Sequence, residues 1–206
     1  MVNPAPWLKD AYSHRLEDLR MNDVGADEVV LLDPSGRPVG RASRQHVHTT
    51  RTPLHLAFSC YLMDDDGQVL ITRRSLAKRT WPGVWTNAFC GHPRPGEPLE
   101  QAVRRYAKRE LGVTLTHLRC VLPDFRYRAV DPSGTVENEV CPVFVAITHD
   151  ELLPDPDEVM DLSWVAAPEL ERLATHVPQL VSPWLVEQVA AMPSITTLNV
   201  QEGTAR

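Results

Sequence analysis

Closely spaced turn signals are the feature of this sequence that most restricts its fold. Three four-residue segments, 33–36, 64–67 and 131–134, read DPSG, DDDG and DPSG. Proline presets φ for a turn, and glycine accepts the positive φ that other residues avoid. Each segment separates two apolar runs, a pattern typical of strands joined by tight turns. The chain is therefore expected to consist largely of short strands.

The apolar runs predict strands at residues 28–32, 39–42, 54–63, 68–73, 117–122, 124–130, 139–147 and 161–165. A different spacing begins at Leu99, where apolar side chains recur at three- and four-residue steps as far as Leu111. This spacing predicts a central helix that Gly112 ends. Shorter helices are predicted at residues 168–174 and 183–191. Residues 80–98, rich in Trp, Pro and Gly, are predicted to lack regular structure.

The chain length and the order of these elements predict one folded domain. A chain of 206 residues can bury one sizeable core but is short for two. Strands before and after one central helix are typical of an α+β sandwich with mixed sheets. We predict this domain over residues 27–192. An N-terminal extension would cover residues 1–26, with a helix at 6–19, and a C-terminal tail would cover residues 193–206.

Charge and hydropathy narrow the class of partner. The formal net charge is −6, whereas nucleic-acid-binding proteins usually carry a basic excess, so no nucleic-acid partner is expected. No apolar run reaches membrane-spanning length, and residues 1–20 lack the apolar segment of a secretory signal. A cytoplasmic protein without membrane contact is therefore expected. Cations crowd residues 73–79 and 104–109, which suits an anionic small molecule, although a solvated surface explains any one of them as well.

Residues 91–113 match part of the Nudix sequence pattern G-x5-E-x7-R-E-U-x-E-E-x-G-U, in which helix carboxylates hold divalent ions against a diphosphate. The matching positions are Gly91, Glu97, Arg105, Glu110, Gly112 and Val113. Tyr106 and Arg109 stand where the pattern has two of its glutamates. Sites of this kind need several oxygen ligands, so the loss of these two glutamates weakens the interpretation of the chain as a hydrolase. Glu110 could still contribute to one Mg²⁺ that bridges diphosphate oxygens.

Longer motifs add a specific resemblance. The chain reads TNAFCGHP over residues 86–93, ENEVCPVF over 137–144 and SPW over 182–184. On these motifs it resembles the type I isopentenyl-diphosphate isomerases over roughly residues 28–190. The resemblance implies a single-domain, Nudix-like α/β/α sandwich. It also implies interconversion of isopentenyl and dimethylallyl diphosphate through a carbocation-like intermediate, in isoprenoid biosynthesis.

Histidine and glutamate residues form the candidate metal site. Glu137 and Glu139 lie two apart, and in a strand the side chains of residues i and i+2 share one face. With His48, His55 and His92 they would make a mixed nitrogen and oxygen set suited to Mn²⁺, Zn²⁺ or a related divalent ion. The resemblance implies that these five residues ligate the catalytic metal. His46, two residues before His48, is read as a non-ligand.

The resemblance also implies the residues that transfer protons. It assigns Cys90 and Glu139 to these roles and places Tyr127 beside Glu139. We hypothesise that Glu139 with Tyr127 protonates isopentenyl diphosphate and that Cys90 removes the C2 proton. Cys90 could accept this proton as a thiolate if nearby cations lowered its pKa. The motifs leave open which residue is the acid and which is the base.

The remaining assignments concern the substrate. Arg74 and Lys78 match positions that grip the diphosphate, and Arg44 lies near the first hairpin where the family has a basic residue. Glu110 would share the Mg²⁺ that accompanies the diphosphate. Trp184 would place its indole face near the cationic carbon. Trp81, Trp85 and Arg105 are left without a fixed role.

Two other functions are considered. A Nudix hydrolase of a nucleoside diphosphate derivative should keep the full glutamate pattern on the helix, which this chain lacks. A Nudix-fold binding module without catalysis should have lost metal ligands, yet all five are present. The isomerase interpretation is therefore preferred. No feature of the sequence indicates a subunit interface, so a monomer is expected.

Overall fold

A computed structural model describes residues 27–193 and 195. The helix predicted at residues 6–19, the extension over residues 1–26 and most of the tail lie outside these residues. Twelve strands are numbered in chain order: β1 Glu28–Leu32, β2 Pro38–Ser43, β3 His55–Leu56, β4 Phe58–Met63, β5 Gln68–Arg74, β6 Trp85–Asn87, β7 Phe89–Gly91, β8 Thr116–Leu122, β9 Arg126–Val130, β10 Val136–Val140, β11 Val143–Ile147 and β12 Val159–Ala166. Four α-helices accompany them: α1 Arg44–Val47, α2 Leu99–Leu111, α3 Ala167–His176 and α4 Pro183–Ala191.

The strands form two mixed sheets. The first has the order β2-β1-β3-β10-β9. The second has the order β12-β5-β4-β11-β8, with β6 paired to β5 and β7 paired to β4. All pairings are antiparallel except β3 with β10 and β4 with β11. The α+β fold with mixed sheets that the strand and helix pattern predicted is confirmed.

Two predicted strands are each divided between the two sheets. The run 54–63 breaks at Ala57 into β3 and β4, and the run 139–147 breaks at Cys141–Pro142 into β10 and β11. Pro142 has no N–H to donate, so a regular ladder cannot continue through it. The backbone N–H of Ala57 donates to the carbonyl of Val140 at 2.9 Å. This hydrogen bond keeps the two neighbouring segments of the chain together where both pass from one sheet to the other.

The loop prediction for residues 80–98 was wrong in part. This segment contains β6 and β7, which pair with β5 and β4. Each has three residues, too short to show an alternation in the sequence. Their pairing places Cys90 opposite Ser59 in the second sheet.

Helices cover both faces of the second sheet. Alternate residues of β4, Phe58, Cys60 and Leu62, pack in one core with Tyr106 and Ala107 of α2. Tyr61 and Met63 face the other way and pack with Leu170 of α3 and Leu185 of α4. This is the expected α/β/α layering, and it follows from the period of two in a strand.

The central helix begins and ends as the sequence predicted. Its C-terminal residue is followed by Gly112 at φ 74°, a left-handed conformation that favours glycine. A Cβ at Gly112 would lie 2.8 Å from the Cβ of Leu153, so the position is also crowded. None of the helices within residues 27–195 that the structure describes is long and apolar enough to cross a membrane.

Candidate active site

A cavity of about 620 Å³ opens between α2, the loop after β5 and the inner ends of both sheets. Its walls include the sequence-predicted residues Arg44, His48, Arg74, Lys78, Cys90, His92, Glu110, Tyr127, Glu137, Glu139 and Trp184. His55 does not line the cavity. It lies fully buried behind the wall, where it reaches Glu139 and His92. The structure therefore gathers every predicted site residue in one place.

Three imidazoles converge on two carboxylates at one end of the cavity, called here the histidine end (His48, His55, His92, Glu137 and Glu139). Oε1 of Glu139 lies 3.4 Å from Nε2 of His55 and 3.2 Å from Nε2 of His92. Parallel pairing of β3 with β10 causes this approach, because it sets Glu139 beside His55. Donor atoms of His48, His55, His92 and Glu139 all lie within 4.8 Å of one another.

The histidine end has the properties of a divalent metal site. Nδ1 of His55 lies 2.9 Å from the carbonyl of Pro53, which can only accept, so Nδ1 carries a proton and Nε2 is the nitrogen directed at the cluster. Nε2 of His48 and Oε2 of Glu137 are 2.9 Å apart, yet both are buried without an aligned hydrogen bond. Buried polar atoms without partners are costly, and a shared cation would satisfy both. These residues therefore fit a divalent ion.

The charges at the histidine end are strongly perturbed. Burial alone would lower the pKa of His48, but Glu137 and Glu139 outweigh it and raise the pKa to about 9. Burial lowers the pKa of His92 despite the nearby carboxylate of Glu139. Burial would raise the pKa of Glu139, but the three histidines hold it well below the usual value. Glu139 is thus a carboxylate in the protein alone.

Cys90 sits on the cavity wall between two polar side chains. Its sulfur lies 3.2 Å from Oγ of Ser59 and donates to Oδ1 of Asn87 at 3.4 Å. Burial raises the pKa of Cys90 to about 11, against the lowering effect of these two contacts. The condition given above for a Cys90 thiolate, a pKa lowered by nearby cations, is therefore not met in the protein alone, because desolvation of the thiolate outweighs the lowering effect of Arg74. In the protein alone Cys90 is a thiol.

An aromatic wall adjoins the cysteine and the histidine end. Tyr127 is opposite Glu139 in the β9–β10 pairing, and its ring lies 5.7 Å from that of Trp184. Nε1 of Trp184 donates to Oδ1 of Asn87 at 3.1 Å, which fixes the indole. Trp81 packs edge-on against Trp184 from behind, with ring centroids 6.0 Å apart. The wall is apolar and could contact a hydrocarbon group.

A second group of charged residues is called the cation end (Lys78, Arg109, Glu110 and Glu158). Lys78, Glu110 and Glu158 line the cavity, whereas Arg109 does not line it and belongs to the group through Glu158. Lys78 and Arg109 both form ion pairs with Glu158. Glu110 is buried, and its Oε1 has no hydrogen-bond partner among the described residues. Burial, together with Glu158, raises the pKa of Glu110 to about 7 in spite of Lys78 and Arg109. Glu110 can therefore offer one carboxylate oxygen to an ion.

Two predicted substrate contacts are also engaged with the protein. Arg44 forms an ion pair with Asp27. The guanidinium of Arg74 donates to the carbonyl of Thr80 at 2.8 Å and to that of Trp81 at 3.2 Å, and it lies 5.6 Å from the centre of the Trp184 ring. Arg74 thus holds the loop over the cavity as well as lining it.

The departures from the Nudix pattern have structural explanations. The ring of Tyr106 packs so closely on Gly91 that a Cβ there would lie 2.5 Å from it. Tyr106 therefore fills the space that a smaller side chain would leave, and Arg109 pairs with Glu158. Arg105, left without a role above, forms a two-point ion pair with Glu97 at 2.7 and 2.6 Å. It also donates to the carbonyl of His92 and so ties that loop to α2.

Several residues of the site were not singled out from the sequence. Glu158 had no motif to mark it. Asn87 lies inside the TNAFCGHP motif, three residues before Cys90. Ser59 and Gln188 stand out only as polar residues in otherwise apolar segments, LHLAFSCYLM and PWLVEQVAA. That interruption of an apolar pattern was the signal available for both.

Comparisons with known proteins identify the family of this chain. A model of the NUDIX domain matches residues 53–185. The isopentenyl-diphosphate Delta-isomerase of Paenarthrobacter aurescens (strain TC1) is 54% identical over 175 residues, which cover 85% of this chain and 95% of the relative. The enzyme of the same name from Mycolicibacterium vanbaalenii is 57% identical over 164 residues, covering 80% and 90%.

A solved structure extends the comparison to the fold. The crystal structure of DR0079 from Deinococcus radiodurans superposes with a TM-score of 0.61 at 22% identity, covering 80% of this chain and 98% of that one. This similarity shows a shared fold, and the match of the NUDIX domain model confirms the Nudix-like architecture predicted from the motifs. The chain belongs to the isopentenyl-diphosphate Delta-isomerase family within the Nudix superfamily.

Proposed function

We propose that this protein is an isomerase that interconverts isopentenyl and dimethylallyl diphosphate. One observation carries the proposal: a thiol and a carboxylate, Cys90 and Glu139, line the same cavity beside an apolar aromatic wall. The cavity also has cationic side chains for a diphosphate. Names and identities of the relatives support the same reaction.

The reaction requires two proton transfers. A proton is added to C4 of isopentenyl diphosphate, which leaves a tertiary cation at C3, and the loss of a proton from C2 forms the new double bond. An alkene is a very weak base, so the acid must be well placed and water must be kept away. The buried positions of Tyr127 and Trp184 provide such surroundings.

We assign Cys90 and Glu139 to these transfers, with Tyr127 next to Glu139. In the direction of dimethylallyl diphosphate, Glu139 would give the first proton and Cys90 would take the second. In the protein alone the thiol holds its proton and the carboxylate does not. This assignment therefore requires that, in the site with substrate and ions bound, Glu139 carries the proton and Cys90 is the thiolate. The indole face of Trp184 would stabilise the cationic carbon between them.

Two ions complete the proposal. The histidine end would hold Mn²⁺ or Zn²⁺, which suit its mixed nitrogen and oxygen donors. When bound, this ion would hold the side chain of Glu139 in position beside Tyr127. Glu110 would share a Mg²⁺ with the diphosphate, and Arg44, Arg74 and Lys78 would bind the phosphate oxygens.

Further proposals concern the whole chain. We propose that residues 27–192 form the catalytic domain, with residues 1–26 as an extension and 193–206 as a tail. We further propose a monomeric, cytoplasmic enzyme whose partner is the small diphosphate, with no nucleic acid or membrane. Size-exclusion chromatography with light scattering would test the monomer.

An NMR experiment tests the reaction. Purified protein with isopentenyl diphosphate, Mg²⁺ and D₂O should yield deuterated dimethylallyl diphosphate. Chelation by EDTA should stop the reaction, and adding back Mg²⁺ alone or with Mn²⁺ or Zn²⁺ shows which ions are needed. Cys90→Ala should be inactive, whereas Cys120→Ala, half-buried and outside the cavity, should be active. Unchanged substrate or released phosphate with the wild-type protein would contradict the isomerase.

A hydrolase is the alternative that phosphate release would favour. The structure offers it little support, because Tyr106 and Arg109 occupy positions where the Nudix pattern has glutamates. Of the two adjacent glutamates in the Nudix pattern, this helix keeps only the second, as Glu110.

A further inference from the structure

A chain of buried polar side chains leads from the back of the domain to the sulfur of Cys90. The hydroxyl of Tyr61 donates to Oε1 of Gln188 at 3.0 Å. Nε2 of Gln188 donates to Oγ of Ser59 at 2.8 Å, and Oγ of Ser59 lies 3.2 Å from the Cys90 sulfur. Tyr61, Gln188 and Ser59 have no solvent exposure. None of the three lines the cavity, and none has a part in the reaction as proposed above.

Burial of three polar side chains requires an explanation. Each polar group loses its hydrogen bonds to water on folding, and the hydrogen bond that replaces them inside the protein offsets this loss with only a small net gain. Apolar residues would fill the same space between β4 and α4, where the neighbours are Met63, Leu170 and Leu185. The chain is nonetheless complete, since each member is bonded to the next. A complete buried network fixes the orientation of its members more firmly than apolar packing does.

The direction of these bonds determines what Ser59 offers. The amide of Gln188 accepts from Tyr61 through its oxygen and donates to Ser59 through its nitrogen. One lone pair of the Ser59 oxygen is therefore occupied, and its own hydrogen is directed toward a sulfur. Cys90 at 3.2 Å and Cys141 at 3.4 Å are the two sulfurs in reach.

Asn87 holds the sulfur from another side. Its Nδ2 donates to the carbonyls of Cys60 and Phe89 at 3.0 and 2.9 Å, which turns Oδ1 toward Cys90. Oδ1 can accept from a thiol but cannot donate to a sulfur. Ser59 can do both, so the two contacts are not equivalent.

We propose that Ser59 is a positioning residue for Cys90, held in orientation by Gln188 and, through it, by Tyr61. Its hydroxyl keeps the sulfur in one rotamer facing the cavity. The catalytic consequence rests on the proposed function of Cys90, whereas the placement of the sulfur does not. Positioning acts on the reacting geometry and not on substrate affinity, so it changes kcat more than KM.

Kinetics test the catalytic consequence. Ser59→Ala should lower kcat by about 10- to 100-fold, the range for a small misplacement of a reacting group, with KM within about twofold. Ser59→Thr, which retains a hydroxyl, should recover part of the loss. Gln188→Met should fall between wild type and Ser59→Ala, and Tyr61→Phe should have the smallest effect. Thr148→Val is the matched control, since it removes another buried hydroxyl bond, to the carbonyl of Thr114 at 3.0 Å.

A second measurement tests the positioning of Cys90 without relying on isomerase activity. The rate of Cys90 alkylation by iodoacetamide at fixed pH, read by peptide mass spectrometry with Cys120 as internal reference, reports the state of the sulfur. We expect a shift in Ser59→Ala and none in Thr148→Val. If wild type lacks isomerase activity but this shift is seen, the proposed function fails and the positioning of Cys90 stands.

Two results would overturn the proposal. One is wild-type kcat and wild-type Cys90 alkylation in a folded Ser59→Ala protein. The other is an equal loss of kcat in Thr148→Val and Ser59→Ala at equal melting temperatures, which would indicate a general packing effect.

Discussion

The histidine end and the cation end of the cavity differ in the charge that the protein itself supplies. At the histidine end, Nε2 of His48 and Oε2 of Glu137 are buried 2.9 Å apart without an aligned hydrogen bond. At the cation end, Lys78 and Arg109 already have a carboxylate partner in Glu158. The first end is therefore arranged to receive a cation. The second is nearly balanced, and a diphosphate must compete with Glu158 for the same cations.

This difference has a structural origin. The residues of the histidine end come from strands β3 and β10 and from the positions directly after β7 and α1, whose backbones are fixed by pairing or by the helical turn. The cations and Glu158 of the cation end are on loops or a helix surface with longer side chains. We expect substitutions at the histidine end to abolish function and substitutions at the cation end to tune it.

The largest effect should follow from Glu139→Gln. The substitution keeps the shape of the side chain but removes both the charge and the ability to exchange a proton. Turnover should fall by about 10²- to 10⁴-fold, the usual range for an acid or base. NMR of product formation measures this loss, and Glu151→Gln, on the exposed surface, serves as the control. Retention of more than a tenth of the wild-type rate would refute a proton-transfer role for Glu139.

A large effect on metal affinity is expected from His55→Gln. Nε2 of His55 faces the cluster, and its replacement removes one nitrogen donor. Affinity for Mn²⁺ or Zn²⁺ should fall at least 10- to 100-fold, roughly the loss seen when even an outer-shell partner is removed. Calorimetric titration of EDTA-stripped protein measures this. His149→Gln, an exposed histidine paired with Asp65, is the matched control. Equal affinity in the two variants would argue against a metal at the histidine end.

A smaller effect of opposite sign is expected from Glu158→Gln. Removing this carboxylate frees Lys78, which lines the cavity, for the substrate, so KM for isopentenyl diphosphate should fall by about two- to fivefold. Steady-state kinetics at fixed Mg²⁺ measure the change. Glu169→Gln breaks an exposed ion pair with Arg172 and is the control. A rise in KM would mean that Glu158 orients the two cations instead of competing for them.

The smallest effect concerns the contact that joins α2 to the loop of His92, beside the histidine end. Arg105 links Glu97 to the carbonyl of His92, and so joins α2 to the histidine end. Burial would raise the pKa of Glu97, but Arg105 and the backbone N–H of Arg94 outweigh it and lower the pKa below 4.5. A lowered folded-state pKa stabilises the protein above the unfolded pKa, and this contribution is lost as pH falls through the folded pKa.

Glu97→Gln should therefore reduce the free energy of unfolding at pH 7 by on the order of 1 kcal/mol, with the difference from wild type narrowing below about pH 4. Urea unfolding at both pH values measures this. Glu151→Gln should show no such pH dependence. A difference that stays constant with pH would mean that Glu97 contributes through packing and not through its charge.

The sequence by itself determined the parts of this protein that depend on local chemistry. Turn residues at 33–36, 64–67 and 131–134 set the hairpins, and the spacing from Leu99 to Leu111 set the helix with Gly112 at its end. Long motifs such as TNAFCGHP identified the family. The alternation of Glu137 and Glu139 placed both carboxylates on one strand face. All of these follow from φ/ψ preference and side-chain periodicity, which act over a few residues.

Tertiary structure alone decided the features that depend on distant segments. It split the runs 54–63 and 139–147 between two sheets, because the two strand pairs leave one sheet for the other at Ala57 and Pro142. It brought Ser59, from β4, against Gln188 of α4 and Cys90 of β7. It also buried the Cys90 thiol deeply enough to raise its pKa, a direction that the sequence left open. Burial and long-range hydrogen bonds depend on which faces meet after folding, and local propensity does not specify this.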